Sequence, residues 1–386
     1  MVLEISKKAS RIVQAEIRSM SIECERVKGI NLAQGVCDTE VPLPVRRGAQ
    51  VAMDEGVNSY TRYDGLADLR SAIAKKMKTW NGIDADPETE IVVSSGSTGS
   101  FYCACLALLN PGDEVILFEP YYGYHVNTLL AADAVPAYVR MHAPDWTFKA
   151  EDLERAVTPR TRGIMVNTPG NPSGKVFTKA ELETIAAFAK KHDLFVFTDE
   201  IYEYFLYDGR KHISPATLPG MADRTITISG LSKTFSITGW RIGYSVCDRK
   251  WAKMIGYLND LVYVCAPAPL QIGVARGMVE LGAEYYDGLR DEYARKREAV
   301  CGALTRAGLR PSMPQGAYYV LSDVTHLPGK TSKDKAMYIL EKAGVASVPD
   351  EAFFHEPGER QFVRFCFAKH DDELREACRR LMMLSS

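Results

Sequence analysis

Ser229-Gly230-Leu231-Ser232-Lys233-Thr234-Phe235-Ser236-Ile237-Thr238-Gly239-Trp240-Arg241-Ile242-Gly243-Tyr244 places one lysine and one arginine among small, hydroxylated and apolar residues. A lysine desolvated beside a fixed cation has its ammonium form disfavoured, and the free amine condenses with carbonyls. The guanidinium of Arg241 is a planar fork that suits a phosphate. An aldehyde that also carries a phosphate is pyridoxal 5′-phosphate (PLP), so Lys233 and Arg241 are the first candidates to hold that group. A lysine in a Ser/Gly-rich loop is, by itself, more often a solvated surface residue. The rest of the chain has to decide.

The stretch resembles the lysine segment of the class I aminotransferases, PLP enzymes of fold type I, which reads much like S-K-T-F-x-x-T-G-W-R-I-G. The resemblance implies an α/β fold, with a large domain built on a mainly parallel sheet between helices and a smaller α/β domain. It runs through the chain from Gly35 to Arg364 with its motifs in the family's order.

Upstream, Leu194-Phe195-Val196-Phe197-Thr198-Asp199-Glu200-Ile201-Tyr202 is an apolar run that reads as a buried strand and delivers Asp199 at its carboxyl end, where open α/β sheets place ligands. A carboxylate there holds a pyridine nitrogen protonated, which lets the ring accept electrons. Tyr202 reaches the cofactor's phenolic oxygen if the chain turns after the strand. An ordinary N-cap is the plainer reading of Asp199. Asn167-Thr168-Pro169-Gly170-Asn171-Pro172-Ser173-Gly174 is, as bare chemistry, a rigid turn. By resemblance, Asn171 is the family's asparagine on the cofactor's O3′, and it joins the substrate site.

Ser94-Ser95-Gly96-Ser97-Thr98-Gly99-Ser100 follows the strand-like Ile91-Val92-Val93 and opens a helix expected to run to about Leu109. Free N–H groups and the positive dipole end there make an anion site, so Ser97 and Thr98 are candidate phosphate ligands, with Arg241 and Ser232; a simple cap is the alternative. Tyr122 aligns with the aromatic that the family stacks on the pyridine ring. Arg364 stands alone in the apolar run Phe362-Val363-Arg364-Phe365-Cys366-Phe367, a costly place for a charge unless an anion pairs with it. It is the candidate clamp for a substrate α-carboxylate, and an internal salt bridge is the alternative. Gly35, in Ile30-Asn31-Leu32-Ala33-Gln34-Gly35, resembles the glycine that approaches that carboxylate. Tyr60, in Tyr60-Thr61-Arg62-Tyr63-Asp64-Gly65, keeps the spacing by which family members send a tyrosine into the neighbouring subunit's phosphate site, which implies a homodimer with shared active sites. Three positions depart from the family: Gly230 where many relatives carry a phosphate-binding serine, Arg62 where proline is frequent, and Asp350 in place of a common glycine.

With 386 residues, 46% of them hydrophobic, the chain can bury a large core and more than one domain. A net charge of −2 argues against a polyanion-binding surface, so nucleic acid is not an expected partner. No apolar run has the length of a membrane span or of a secretory signal, so a cytoplasmic protein is expected. Nine scattered cysteines and seven single histidines show no ligand spacing, which points to reduced thiols and no metal. Alternating strand-like and amphipathic stretches, such as residues 179–191, place the large PLP-binding domain at about 45–284. A long charged helix over about 284–307 and a mixed region ending in a helix over 371–384 combine with residues 1–44 as the small domain.

The expected activity is a ping-pong aminotransferase. Lys233, Asp199 and Tyr202 carry the chemistry, moving the amino group of an L-amino acid to a 2-oxo acid. Tyr121, Tyr122, Tyr124, Phe353 and Phe354 favour a neutral, aromatic or sulfur-containing side chain, and residues 362–369 resemble the branch acting on methionine, kynurenine and aromatic amino acids. An aspartate aminotransferase is an alternative in which Arg62 supplies a second cation; an exposed surface arginine is the plainer reading of that residue. A β-lyase on sulfur amino acids is another alternative, since the same residues serve both chemistries. A PLP-binding transcription regulator is not expected, because the resemblance begins within the first few dozen residues and leaves little room before it for a DNA-binding domain.

Overall fold

The computed structural model describes residues 3–12 and 16–385. Seven strands form the main sheet: β1 (Ile91–Ser95), β2 (Glu114–Glu119), β3 (Val135–Arg140), β4 (Thr161–Asn167), β5 (Phe195–Asp199), β6 (Thr225–Gly230) and β7 (Ile242–Val246). Their spatial order is β1-β7-β6-β5-β4-β2-β3. Only β7 runs antiparallel to its neighbours; the other pairings are parallel. β2, β5, β6 and β7 are buried along their whole length, as continuous apolar runs covered by helices on both faces require. Parallel pairing brings strand ends level: Asn167 lies beside Asp199, and Asp199 beside Ile228.

Helix Lys179–Lys191 begins with a capping box in which Thr178 accepts from Glu181 N–H and the Glu181 side chain accepts in return from Thr178 N–H. Helix Gly96–Leu108 starts where β1 ends.

The long charged helix, Ala283–Arg306, leads to a second, antiparallel sheet. Its strands are β8 (Arg310–Pro311), β9 (Tyr319–Asp323), β10 (Val348–Pro349) and β11 (Phe362–Cys366), ordered β10-β11-β9-β8. Near the start of the chain, Ile30–Asn31 pairs in parallel with Val345–Ala346, tying the amino-terminal segment to this half. We propose the same two-domain division as the sequence suggested, with the first boundary moved to Leu43. Helix Leu43–Asp54 begins there, and its Gly48 packs against Gly273 of helix Ala268–Glu280 closely enough that a Cβ would meet Gly273 Cα at 3.0 Å.

The final helix covers Asp371–Leu381 and tightens to a 3₁₀ turn over Met382–Ser385. All nine cysteines are free thiols, eight of them buried. Among the described residues, no helix is long and apolar enough to cross a membrane.

Candidate active site

The loop from β6 to β7 carries Lys233 and Arg241. Lys233 is half-buried, and its Nζ donates to Gly35 O at 3.4 Å. Burial pushes its pKa below the usual lysine value; Arg241 acts in the same direction, and Cys37, Cys366 and Asp199 oppose it. Arg241 is exposed and adopts left-handed backbone (φ 58°), with its Nη1 donating to Thr238 O at 2.9 Å. Its guanidinium lies on Gly96, where a Cβ would come within 2.2 Å of Nη2. A Cβ at Gly243 would meet Ser97 N at 2.3 Å, so two glycines let the first turn of helix Gly96–Leu108 sit directly on β7 beneath Arg241. Ser97 and Thr98, partly exposed, occupy that turn. Ser232 is buried nearby. Gly230 has no space for a serine, because a Cβ would meet Ile242 O at 2.9 Å and Gly243 Cα at 3.0 Å.

Asp199 stands at the end of β5, buried, with Oδ2 3.0 Å from His125 Nε2 and Oδ1 accepting from Ile201 N at 3.3 Å. His125, on helix Gly123–Ala131, was not singled out from the sequence. It is buried edge-on against Tyr122 (5.3 Å) and Phe101 (5.5 Å), and a lone histidine three residues after an aromatic carries no spacing signal of its own. Tyr122 is also stacked on Tyr124 at 5.2 Å, and burial raises its phenol pKa.

The chain does turn after β5, as Tyr202 needs. Its hydroxyl lies 3.1 Å from that of Tyr319, a second residue the sequence did not single out, and burial followed by Tyr319 holds its pKa well above the ordinary tyrosine value. Tyr319 also touches the amino-terminal segment: a Cβ on Gly35 would fall 2.0 Å from its hydroxyl oxygen. Only glycine fits at position 35 while Tyr319 keeps this place.

Arg364, on β11, is 1% exposed. Its Nη1 donates to Asn171 Oδ1 (2.9 Å) and its Nη2 to Ala33 O (2.5 Å). The guanidinium lies over Tyr319 (4.5 Å) and Phe353 (5.1 Å), and Nε is buried without a partner. Among the described residues its hydrogen-bond partners are an amide and a backbone carbonyl and no carboxylate, so the internal-salt-bridge alternative is not what the structure shows. Because Asn171 turns its oxygen to Arg364, its amide nitrogen is left to donate elsewhere. Its backbone N–H is held by Asn167 Oδ1 at 2.8 Å.

Arg62 is tied into surface contacts of its own chain. It donates to Asp64 Oδ2 (2.6 Å), Glu88 Oε2 (2.8 Å) and Glu88 O (3.0 Å), all in its own chain. Tyr60 is 82% exposed. Of the candidate aromatic residues, Phe353 reaches Arg364, whereas Phe354 packs on Phe362, Trp146 and Arg140. Asp350 is not at the site either. Its Oδ2 accepts from Phe362 N at 2.7 Å, and burial pushes its pKa up to about 6.

A half-buried amine with a lowered pKa, a buried carboxylate at a strand end, a helix start beneath an arginine and a buried guanidinium lacking an anion together fit PLP and an amino acid. Residues 27–381 match the family model for aminotransferases of class I and II. The chain is 34% identical over 382 residues to aromatic-amino-acid aminotransferase 2 of Thermococcus litoralis, covering 98% of this chain and 97% of that protein. It is 35% identical to the aspartate aminotransferase of Pyrococcus abyssi, covering 98% and 97%. Among solved structures, N-succinyldiaminopimelate aminotransferase from Mycobacterium tuberculosis superposes with a TM-score of 0.94 at 34% identity, covering 99% of this chain and all of that one.

The chain belongs to the class I and II aminotransferases. It is a PLP-dependent transaminase of fold type I, acting on an amino acid and a 2-oxo acid.

Proposed function

We propose that this transaminase takes neutral, aromatic or sulfur-containing L-amino acids, with Arg364 and Asn171 holding the α-carboxylate and Lys233 moving the α-proton. The observation that carries the amino-acid site is Arg364, a fully buried guanidinium with a free Nε and no carboxylate beside it. Burying an unpaired charge costs several kcal/mol, a cost that an incoming carboxylate offsets (of order ~3–5 kcal/mol when one partner is missing).

Once bound, PLP supplies the electron sink for loss of the α-proton. In this reading Asp199, steadied by His125, keeps the ring nitrogen protonated. Tyr202, neutral because of its raised pKa, donates to the phenolic oxygen together with the Asn171 amide. Ser97, Thr98, Ser232 and Arg241 hold the phosphate, Tyr122 lies against the ring, and Gly35 leaves space for the substrate. Lys233, whose burial lowers its pKa and so raises the share of free amine relative to an ordinary lysine, would hold the cofactor and supply the base for the α-proton.

A dicarboxylic substrate needs a second cation. Arg62 already has three acceptors in its own chain, which speaks for the neutral class over aspartate. We further propose a homodimer. Tyr60 belongs to a loop packed on helix Arg249–Tyr263, with Tyr63 5.6 Å from Tyr257, and that helix exposes Met254, Tyr257 and Leu261 to solvent. A second copy covers this apolar surface and receives Tyr60 at its phosphate site. Sedimentation of a monomer with full cofactor affinity would remove this part.

The substrate class is tested by adding single L-amino acids to the PLP-loaded enzyme without any oxo acid. One equivalent of 2-oxo acid per site is expected, released fastest from a neutral or aromatic donor. Aspartate reacting fastest would overturn the class, and continuous release of pyruvate and ammonia would mean a β-lyase.

A further inference from the structure

Asp199-Glu200-Ile201-Tyr202-Glu203 interleaves two sets of side chains. Asp199 and Tyr202 enter the site described above, while Glu200 (0% exposed) and Glu203 (2%) enter a separate buried network. Thr198 Oγ1 (2.9 Å) and Ser214 Oγ (2.7 Å) donate to Glu200 Oε1. At Glu200 Oε2 stand His212 Nε2 (2.5 Å) and Asn81 Nδ2 (3.2 Å). Asn81 Nδ2 also reaches Glu203 Oε2 at 2.8 Å, and Ser229 Oγ donates to Glu203 Oε1 at 2.8 Å. Lys76 Nζ pairs with Glu203 Oε1 and lies 3.1 Å from Tyr244 OH.

The carboxylates and His212 offer ligand atoms within 4.8 Å of one another, a spacing that would admit a metal ion, but the Lys76 ammonium already supplies the cation. Two buried carboxylates with two basic partners are weak evidence for stability, since apolar residues of the same volume would serve as well or better. What such a network does provide is fixed geometry. It joins helix Ala67–Lys76, the turn Met77–Asn81, β5, β6, β7 and the loop bearing His212 and Ser214, and Ser229 lies four residues before Lys233.

We propose that Glu200 and Glu203, with Lys76, His212 and Asn81, are positioning residues that set the Asp199 carboxylate and Tyr202 hydroxyl relative to Lys233. This rests on the cofactor roles proposed above for those three residues. A small displacement of either group changes the charge stabilisation felt by the PLP attached to Lys233, and so changes its proton affinity.

His212→Gln, Ser229→Ala and Ser214→Ala each remove a contact from a buried carboxylate without touching the cofactor site. Three quantities are measured on the full chain: melting temperature, PLP dissociation constant from titration of the apoprotein, and the pH midpoint of the visible absorption change of bound PLP. Arg297→Met is the control. It breaks an ion pair from buried Arg297 to exposed Asp208 (2.7 and 2.8 Å) that belongs to neither set. His212→Gln should weaken PLP about tenfold, the scale of one charged hydrogen bond, and move the midpoint by roughly half a pH unit or more. The serine variants should shift both in the same direction by less, and they carry the test if His212→Gln does not fold. Arg297→Met should lower the melting temperature alone. The positioning role is overturned if the network variants also lower only the melting temperature. If the wild-type protein gives no visible band with PLP, the site reading fails, and the positioning role fails with it.

Discussion

The two halves of the site treat buried charge in opposite ways. On the main-sheet side, every buried carboxylate near the site already has a basic partner: Asp199 has His125, Glu200 has His212 and Glu203 has Lys76. On the small-sheet side, Arg364 is equally buried and has only neutral acceptors, Asn171 and Ala33. A buried charge with its partner in place is settled before any ligand arrives; one without a partner makes binding of the complementary ion favourable. On the proposed assignment, the main-sheet half is prepared for its cofactor and the small-sheet half is completed by the substrate.

This contrast can be broken from either side. The largest effect is expected at Lys233: Lys233→Ala should still bind PLP through the phosphate loop but lose turnover by at least about 10³-fold, since both the attaching amine and the base are gone. A variant retaining a tenth of wild-type turnover would remove Lys233 from the chemistry. Arg364→Met should reduce kcat/KM for the amino acid by roughly 10²-fold or more while leaving PLP affinity unchanged. Its apoprotein should be no less stable than wild type, because an unpaired buried charge has been removed. A large loss of melting temperature would show that Arg364 belongs with the paired charges after all.

Asp350 sharpens the comparison, being a half-buried carboxylate on the small-sheet side with no basic group hydrogen-bonded to it. Its folded pKa, about 6, lies above the usual aspartate value. Between about pH 4 and 6 the native state therefore binds more protons than the unfolded chain, so stability falls as pH rises through that window and the deficit is complete above it. Asp350→Asn keeps an acceptor for Phe362 N–H and should raise stability at pH 7 by about 1–2 kcal/mol, with the gain vanishing near pH 4. Denaturant titrations at the two pH values measure it, and an equal gain at both would refute the titration. The smallest effect is expected at Arg62. Arg62→Ala should leave the ratio of acidic to neutral substrate turnover unchanged within about twofold, because the guanidinium is occupied at the surface.

Strand ends and their polar residues were largely legible in the sequence because a fully buried strand is written as a continuous apolar run, and a residue such as Asp199 or Arg364 interrupts it visibly. The match of residues 179–191 to a helix with those same bounds follows from a capping box and an apolar stripe, both local signals. What was not legible is tertiary. Nothing near Ile242–Val246 encodes that the strand runs against its neighbours. Gly96 and Gly243 look like turn residues until each is seen to leave room for the other's loop and for Arg241. His125 and Tyr319 gain their place only from partners 74 and 117 residues away. Arg62 was open to two readings because its acceptors include Glu88, 26 residues on.

The attachment of PLP to Lys233 is tested most directly by reducing the loaded enzyme with borohydride, digesting it and locating the added phosphopyridoxyl mass. The mass should fall on the peptide containing Lys233 and on no other lysine. Finding it on another lysine, or finding no covalent label in a protein that turns over amino acids, would contradict the assignment.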